Sequence, residues 1–258
     1  MKVRVLGCSG GIGGNSLRTT CLAVDDDILI DAGTGAGDLS LEELTRIDHI
    51  FITHSHLDHI ACLPFILDSV GDLRSKPLTM HATLETQEII RAHIFNWKIW
   101  PDFSQIPTPE QPFLRFKTIS VGIPTILDGR SITALPANHT VPAVGYLLDS
   151  GSGSLAFSGD TCACDDLWQV LNVVNNLRYL IIEAAFPNDE RALALLSKHM
   201  CPSLLMEGLS KLRRRTEVHV THAKPGLFTR IEQEIRESTN SASLHRVSML
   251  QQNYVFEF

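Results

Sequence analysis

The sequence lacks the features that mark exported, membrane-spanning and disulfide-stabilised proteins. No run of residues approaches the roughly 20 apolar positions that a membrane-spanning helix needs. The apolar stretch near the N-terminus is interrupted by Arg4 and is too short for the core of a signal peptide. The six cysteines form no CxxC pair and follow no spacing typical of a disulfide scaffold. We therefore expect reduced thiols, no membrane association and a cytoplasmic location.

Positive charge is also scarce. The chain has 22 lysines and arginines against 29 acidic residues, which gives a formal net charge of −7 at pH 7. A protein that holds nucleic acid mainly through its own basic surface has the opposite balance. Nucleic acid is therefore disfavoured as a partner, whereas a small anionic substrate is compatible with this charge if a metal ion supplies positive charge at the site.

The chain shows no internal repeat, low-complexity tract or linker, which predicts one domain over residues 1–258. Hairpin turns are indicated at Asp128-Gly129 and in the sequence DSGSGS. Apolar spacing predicts a helix over Leu57–Val70, with Pro64 in or at the end of its first turn. Further helices are predicted at Glu85–Asn96, Asp165–Asn176, Asp189–Ser197, Pro202–Leu212 and Pro225–Ser238.

Strand-like runs occur in both halves of the chain, with helices interspersed. Two sheets that face each other, with helices outside, would bury the apolar faces of such strands. The predicted fold class is therefore α/β. Strands are predicted at Lys2–Leu6, Thr19–Val24, Ile28–Asp31, His49–Thr53, Leu78–Ala82, Ser131–Leu135, Val144–Leu148, Ser154–Ser158, Tyr179–Ala184 and Glu217–Thr221.

Four metal-ligating side chains follow the apolar run Ile50-Phe51-Ile52 within six residues. They are His54, His56, Asp58 and His59 of the sequence HSHLDH. Imidazole and carboxylate groups together suit zinc and its neighbours, so the cluster predicts a metal site at the end of a strand. The alternative is that these residues form the polar first turn of a helix, in which Asp58 interacts favourably with the helix dipole.

One short turn cannot complete the ligand shells of two metal ions, so further ligands are expected at other strand ends. His139, Asp160 and His222 each follow an apolar strand and precede a loop, which is the same local position as that of the first cluster. Each would be an ordinary polar loop residue if taken alone. Taken with the cluster, they complete a set of seven candidate ligands in which Asp160 is the bridging carboxylate.

This order of motifs resembles the metallo-β-lactamase superfamily, which has an HxHxDH motif and a later His, Asp and His. The resemblance implies a four-layer αβ/βα sandwich with the site at one edge between the sheets. It implies two divalent metal ions, most simply Zn²⁺, with Mn²⁺ or iron as alternatives. By position, one ion would be held by His54, His56 and His139, and the other by Asp58, His59 and His222, with Asp160 and a water or hydroxide between them.

Within the superfamily, the chain is similar to the class II 3′,5′-cyclic-nucleotide phosphodiesterases. The shared features are HSHLDH with an apolar helix after it, LGCSGGIGG, DAGTG and HIFNWKIWPD. Glu183 and His199 resemble the Glu and His motifs of the related ribonuclease Z endonucleases, in which they would serve proton transfer. The alternative for this pair is a strand-end glutamate and a helix-capping histidine.

The resemblance implies hydrolysis of cyclic AMP or cyclic GMP to the nucleoside 5′-monophosphate, through a hydroxide that bridges the metals. Asp58, Glu183 and His199 would be the catalytic side chains. The partner is then a small cyclic nucleotide, and a homo-oligomer is compatible with the sequence. Alternatives are a tRNA 3′-processing endonuclease and, with less support, a hydrolase of thioesters or lactams.

Two further segments give weaker indications of a binding role. The tryptophan- and proline-rich stretch Ile94–Pro112 is predicted to be a loop or insertion packed on the domain. Its Phe95, Trp97, Trp100 and Phe103 would serve packing or, alternatively, stacking on a purine. Gly7–Gly14 lacks the Lys-Ser/Thr ending of a phosphate-binding loop, so a tight turn that lets the backbone approach the metal site is the preferred interpretation.

Overall fold

The computed structural model describes residues 1–14, 17–239 and 244–258, and the strands within them form two sheets of seven strands each. The first sheet has the spatial order β14-β1-β2-β3-β4-β5-β6. Strands β3 to β6 run parallel to one another, and the pairs β14-β1, β1-β2 and β2-β3 are antiparallel. Its strands are β1 (Lys2–Gly7), β2 (Cys21–Val24), β3 (Ile28–Ile30), β4 (His49–Phe51), β5 (Leu78–Ala82), β6 (Leu114–Thr118) and β14 (Val255–Glu257).

The second sheet has the order β13-β12-β11-β10-β9-β8-β7. Strands β10 to β13 are parallel, whereas β7 to β10 form an antiparallel meander. Because β8 and β10 are both antiparallel to β9, they point in the same direction. The strands are β7 (Pro124–Leu127), β8 (Arg130–Pro136), β9 (Val144–Asp149), β10 (Ser154–Phe157), β11 (Leu177–Glu183), β12 (Glu217–Thr221) and β13 (Arg246–Met249).

Helices cover the outer faces of both sheets. Among the described residues, none of them is long and apolar enough to cross a membrane. Short 3₁₀ turns occur at Thr34–Asp38, Gly71–Leu73 and Asn188–Glu190. The α-helices are α1 (Leu41–Arg46), α2 (Leu57–Ile60), α3 (Leu63–Val70), α4 (Leu84–His93), α5 (Asp165–Val173), α6 (Arg191–Leu196), α7 (Pro202–Leu209) and α8 (Phe228–Ser238).

Alternation along the strands creates the layers. In β3, Ile28 and Ile30 enter the apolar cluster between the sheets, while Leu29 faces the cluster under the helices of the first sheet. In β11, Ile181 faces inward, and its two neighbours face the helices of the second sheet. Because successive side chains of a strand point to opposite faces, strands that are apolar throughout must be covered on both sides. The expected four-layer αβ/βα sandwich is confirmed.

The helix predicted over Leu57–Val70 is wrong as one unit. It is two helices, α2 and α3, with Ala61 and Cys62 between them. Pro64 has no N–H to donate to the carbonyl four residues earlier, so it sits in the first turn of a new helix, as expected for proline.

The sequence patterns did not predict one helix and three strands. Helix α1 was missed, although Ser40 and Glu43 form a capping box at its start. Strands β6, β13 and β14 were missed because each is an edge strand in which only one residue is buried, so its apolar pattern is weak. The two predicted hairpins and the strands Leu78–Ala82 and Glu217–Thr221 are confirmed.

The segment Ile94–Pro112 contains no helix or strand among those described, and it packs on the first sheet. Phe95 and Phe103 are buried in the core, so the idea that these two rings stack on a purine is wrong. They are buried because removing their apolar surface from water into the cluster under α3 and α4 is favourable in free energy. Trp97 is exposed, and Trp100 packs edge-on against Phe65.

Tyr146 connects the two sheets close to the end of β4. Its buried hydroxyl donates to the carbonyl of Ile52 at 2.7 Å, and its ring packs edge-on against Phe51. The backbone N–H of Val144 also donates across the gap, to the carbonyl of Thr53 at 3.0 Å. These contacts fix the strand end from which the histidine cluster begins.

Replacing Tyr146 by phenylalanine should lower the free energy of unfolding by about 1–3 kcal/mol, because the buried carbonyl of Ile52 loses its partner. Urea denaturation of wild type and variant measures the change. Tyr254→Phe is the matched control, because Tyr254 is 39% exposed and its hydroxyl bonds to none of the described residues. Equal stability of Y146F and wild type would contradict this role for the hydroxyl.

Candidate metal centre

The predicted ligands meet where strands of both sheets end. His54 follows β4 of the first sheet, and His139, Asp160 and His222 follow β8, β10 and β12 of the second. These four strands deliver their C-terminal ends to the same edge of the sandwich. The chain leaves each strand there, so side chains distant in sequence become neighbours.

The first group of ligands comprises His54, His56, His139 and Asp160. The Nε2 atom of His54 lies 3.7 Å from Asp160 Oδ2, and that of His139 lies 3.9 Å from the same oxygen. His139 Nε2 is also 3.1 Å from His56 Nδ1. All four side chains therefore direct a donor atom toward a common point.

The second group comprises Asp58, His59, Asp160 and His222. His59 Nε2 lies 3.3 Å from Asp160 Oδ1, and His222 Nε2 lies 3.3 Å from Asp160 Oδ2. The carboxylate of Asp58 is 3.9 Å from His59 Nε2 and 3.6 Å from His222 Nε2. Asp160 belongs to both groups, which is the position expected of a bridging carboxylate.

Asp160 is a buried anion surrounded by imidazoles. No lysine or arginine within the described ranges approaches its carboxylate to within 4.0 Å, whereas four histidines do. Burial alone would raise the pKa of Asp160, but His222 and His59 outweigh burial and hold it well below its ordinary value. The carboxylate is therefore ionised and available as a ligand.

The hydrogen bonds on the far side of three rings leave their Nε2 lone pairs directed at this point. His59 Nδ1 donates to Asp31 at 2.7 Å, and His54 Nδ1 is 3.0 Å from the Thr53 hydroxyl. His139 Nδ1 is 3.1 Å from the carbonyl of Lys198. An acceptor at Nδ1 holds the proton there and makes Nε2 the metal-binding nitrogen.

The residues fit divalent metal ions on three observations. The Nε2 atoms of His54 and His59 are buried and have no hydrogen-bond partner among the described residues, which is costly without a ligand. Two ligands of a tetrahedral zinc ion, each about 2.1 Å from the metal, lie about 3.4 Å apart, close to the spacings given above. The donors are all nitrogen or oxygen, which suits zinc, manganese and iron.

Burial also favours the neutral, metal-binding form of most of these histidines. It is the largest cause that lowers the pKa of His139 to about 4 and that of His222 to about 3, and it holds the pKa of His54 well below its ordinary value. His59 differs, because Asp160 and Asp31 outweigh its burial and raise its pKa. A proton on His59 Nε2 occupies the place that a metal ion would take.

Asp31 contacts the candidate ligands, although sequence reasoning assigned it no role. Its buried carboxylate accepts from His59 Nδ1 at 2.7 Å and from the backbone N–H of Thr53 at 2.8 Å. It therefore orients His59 directly and His54 through the Thr53 hydroxyl. Its position directly after β3, the same local position as that of the ligands, is the signal that could have found it.

Glu183 and His199 form a buried pair beside the ligands. Glu183 Oε1 accepts from His199 Nδ1 and from the N–H of Thr161, both at 2.8 Å, and Oε2 accepts from the N–H of Met200 at 3.1 Å. The ring of His199 stacks on His222 with centroids 5.2 Å apart. Burial alone would lower the pKa of His199, but Glu183 outweighs burial and raises that pKa, which favours the protonated imidazole.

The glycine-rich loop after β1 packs directly on the centre. A side chain at Gly10 would place its Cβ 2.3 Å from the carbonyl oxygen of His222, and one at Gly11 would meet Pro225 at 2.9 Å. The N–H of Gly10 donates to the carbonyl of Ala223 at 3.1 Å. Glycine is required for this approach, as the interpretation of a tight turn predicted.

The chain is similar to known proteins in sequence and in fold. Residues 26–237 match a family model described as a beta-lactamase superfamily domain. A protein of Yersinia pestis named probable 3′,5′-cyclic-nucleotide phosphodiesterase is 27% identical over 87% of this chain and 78% of its own length. A ribonuclease Z of Clostridium beijerinckii is 31% identical, but over 57% of this chain and 48% of its own.

Among solved structures, unliganded yeast PDE1 superposes with a TM-score of 0.81 and covers 98% of both chains. Its sequence identity to this chain is 19%, so the likeness concerns the fold. The fold is thus shared well beyond the sequence similarity.

Replacing Asp31 by asparagine should weaken metal binding about 10- to 100-fold, because a donor replaces one of the oxygens that orient His59 and Thr53. Asparagine tolerates the left-handed backbone at this position, where φ is 58°, so the strand end should be kept. Competition with a chelator of known affinity measures the change. Asp48→Asn is the control, because Asp48 precedes β4 at its other end and pairs with Arg74; equal metal affinity of D31N and wild type would remove Asp31 from the centre.

Proposed function

The chain belongs to the metallo-β-lactamase superfamily, and we propose that it is a metal-dependent phosphodiesterase that hydrolyses 3′,5′-cyclic nucleotides to nucleoside 5′-monophosphates. The observation that carries the proposal is the convergence of two ligand groups on Asp160, with the Glu183–His199 pair directly beside them. The relative from Yersinia pestis, which carries the name of this activity, supports the choice of substrate.

The centre would hold two divalent metal ions, for which zinc is the first candidate. His54, His56 and His139 would bind one ion, and Asp58, His59 and His222 the other, with Asp160 shared. The bound ions would supply an activated water and positive charge that offsets the phosphoryl oxygens. That positive charge would let a protein of net charge −7 bind an anion.

The protein's own part in the reaction is to position groups and to transfer a proton. When water adds to phosphorus, the bond from phosphorus to the 3′ oxygen breaks, and that oxygen needs a proton to leave as a hydroxyl. His199 Nε2 is the candidate donor, because Nδ1 of the same ring is held by Glu183 at 2.8 Å. Glu183 is fixed in turn by two backbone N–H groups, so the donor is held in one orientation.

Endonucleolytic processing of tRNA is the second candidate. It is supported by the match to ribonuclease Z, whose identity of 31% is the higher one but covers only 57% of this chain. The excess of seven negative charges argues against a surface that grips RNA. Hydrolysis of thioesters or lactams has less support, because the Glu183–His199 pair resembles motifs of enzymes that cleave phosphodiesters. A cytoplasmic location and a homo-oligomer stay predictions.

Metal-loaded protein should convert 3′,5′-cyclic AMP to 5′-AMP and to no 3′-AMP, and a chelator should abolish the conversion. Chromatographic separation of the products, with and without chelator, measures both points. The 3′ bond should be the one that breaks, because protonation by His199 assists that leaving oxygen. Full loading with metal but no turnover of cyclic AMP or cyclic GMP would contradict the proposal, and cleavage of precursor tRNA would then favour the second candidate.

Replacing His199 by alanine should keep the metal content and lower kcat on cyclic AMP by about 10²- to 10⁴-fold, because the leaving oxygen loses its proton donor. A substrate that releases nitrophenolate should lose much less, since that group leaves without a proton. Asp160→Ala is the contrast and should lose metal and turnover together, because Asp160 belongs to both ligand groups.

The control for His199→Ala is His93→Ala, because His93 is exposed at the end of α4. Equal losses of H199A on the cyclic and the nitrophenyl substrates would show that His199 is not the proton donor.

A further inference from the structure

Lys224 lies two residues after the candidate ligand His222. Its backbone N–H donates to the carbonyl of Ala185 at 3.1 Å, which fixes the chain after β12 against the end of β11. Its side chain is half-buried, and its Nζ donates to the carbonyl of Gly10 at 3.0 Å. The ammonium group is therefore held at the edge of the centre by a backbone oxygen on the glycine-rich loop.

This ammonium group has no carboxylate partner. Within residues 1–14, 17–239 and 244–258, no acidic oxygen lies within 4.0 Å of it, whereas Arg130 pairs with Asp27 and Arg74 with Asp48. The second contact of Lys224 Nζ is His222 Nε2, at 3.4 Å. A cation with no counter-ion beside the candidate ligands is available to an anionic group bound there.

The nitrogen that Lys224 contacts is the one that faces the carboxylates. His222 Nε2 is 3.3 Å from Asp160 Oδ2 and 3.6 Å from Asp58 Oδ2. A metal ion on this nitrogen would take its lone pair, so Nε2 could no longer accept from Lys224. An ammonium group has three N–H donors, and only one is used by Gly10, so two would be free at the centre.

The charge of Lys224 acts on the centre as well as on the loop. Its Nζ lies 3.4 Å from His222 Nε2, close enough for its positive charge to favour an anion bound at the centre. His199 stacks on His222, so Lys224 lies within electrostatic reach of both the candidate metal ligand and the candidate proton donor.

We infer that Lys224 binds the phosphoryl oxygens of the substrate and of the monophosphate product, an inference that rests on the proposed phosphodiesterase function. Its free N–H groups supply charge-assisted hydrogen bonds to an anionic oxygen. A phosphate monoester carries more negative charge than a diester at neutral pH, so the contact with the product is the stronger one. Lys224 thereby sets the affinity for product as well as for substrate.

Lys224→Met tests this inference in the metal-loaded protein. Titration calorimetry with inorganic phosphate and with 5′-AMP should show about tenfold weaker binding of both anions. Metal content and melting temperature should match the wild type. The KM for cyclic AMP should rise by a smaller factor, since the diester carries less charge. Lys224→Arg should restore most of the affinity for phosphate, and Lys211→Met, which removes an exposed lysine paired with Asp165, should change none of these quantities.

Unchanged phosphate affinity in K224M, or no phosphate binding by the wild type, would overturn the inference. Loss of metal or a lower melting temperature in both K224M and K224R would assign Lys224 to holding the Gly10 loop and would also overturn it. The proposed function can fail separately. If the wild type turns over no cyclic nucleotide but K224M still binds phosphate more weakly than the wild type, the cyclic nucleotide is not the substrate. Lys224 would then stand as a phosphate-binding residue.

Discussion

The arrangement of the site depends on one buried carboxylate. Asp160 is almost fully removed from solvent and faces four imidazoles at 3.3–3.9 Å. An isolated ion at such a depth would be strongly destabilising, so the surrounding residues have to supply compensating charge. Imidazoles can do so by binding protons or by binding metal ions. The neutral form favoured for most of them leaves divalent metals as the cations that suit this centre.

A second ring of contacts keeps the ligands in place. Asp31, the carbonyl of Lys198 and the hydroxyl of Thr53 hold the outer nitrogens of three histidines. Glu183 holds His199 in a similar way and is itself held by backbone N–H groups. Most of these partners lie at strand ends, where the sheets determine the backbone position. The precision of the centre thus comes from the two-sheet framework rather than from flexible loops.

Sequence patterns predicted much of the fold and many of the candidate ligands. Apolar alternation and turn residues located most strands of both sheets, and HSHLDH identified four of the residues that converge. The patterns failed where local signals conflict or are weak: Pro64 splits an apolar run into two helices, and the edge strands β6 and β14 each bury only one residue. Phe95 and Phe103 show the same limit, because composition cannot say whether an aromatic ring faces the core or a ligand.

By itself, the sequence determined the layer pattern and the chemical types of the ligands, because both follow from residue identity and short-range spacing. Only the tertiary structure decided that His139, Asp160 and His222 meet the first cluster, since their approach depends on strand order and direction across two sheets. It also decided the contacts of Asp31 and Lys224 with His59 and His222. Asp31 opens the sequence DAGTG, but nothing in that motif says which side chain it holds, and Lys224 belongs to no motif that was used. The contacts of both residues follow from long-range pairing that no short window of sequence contains.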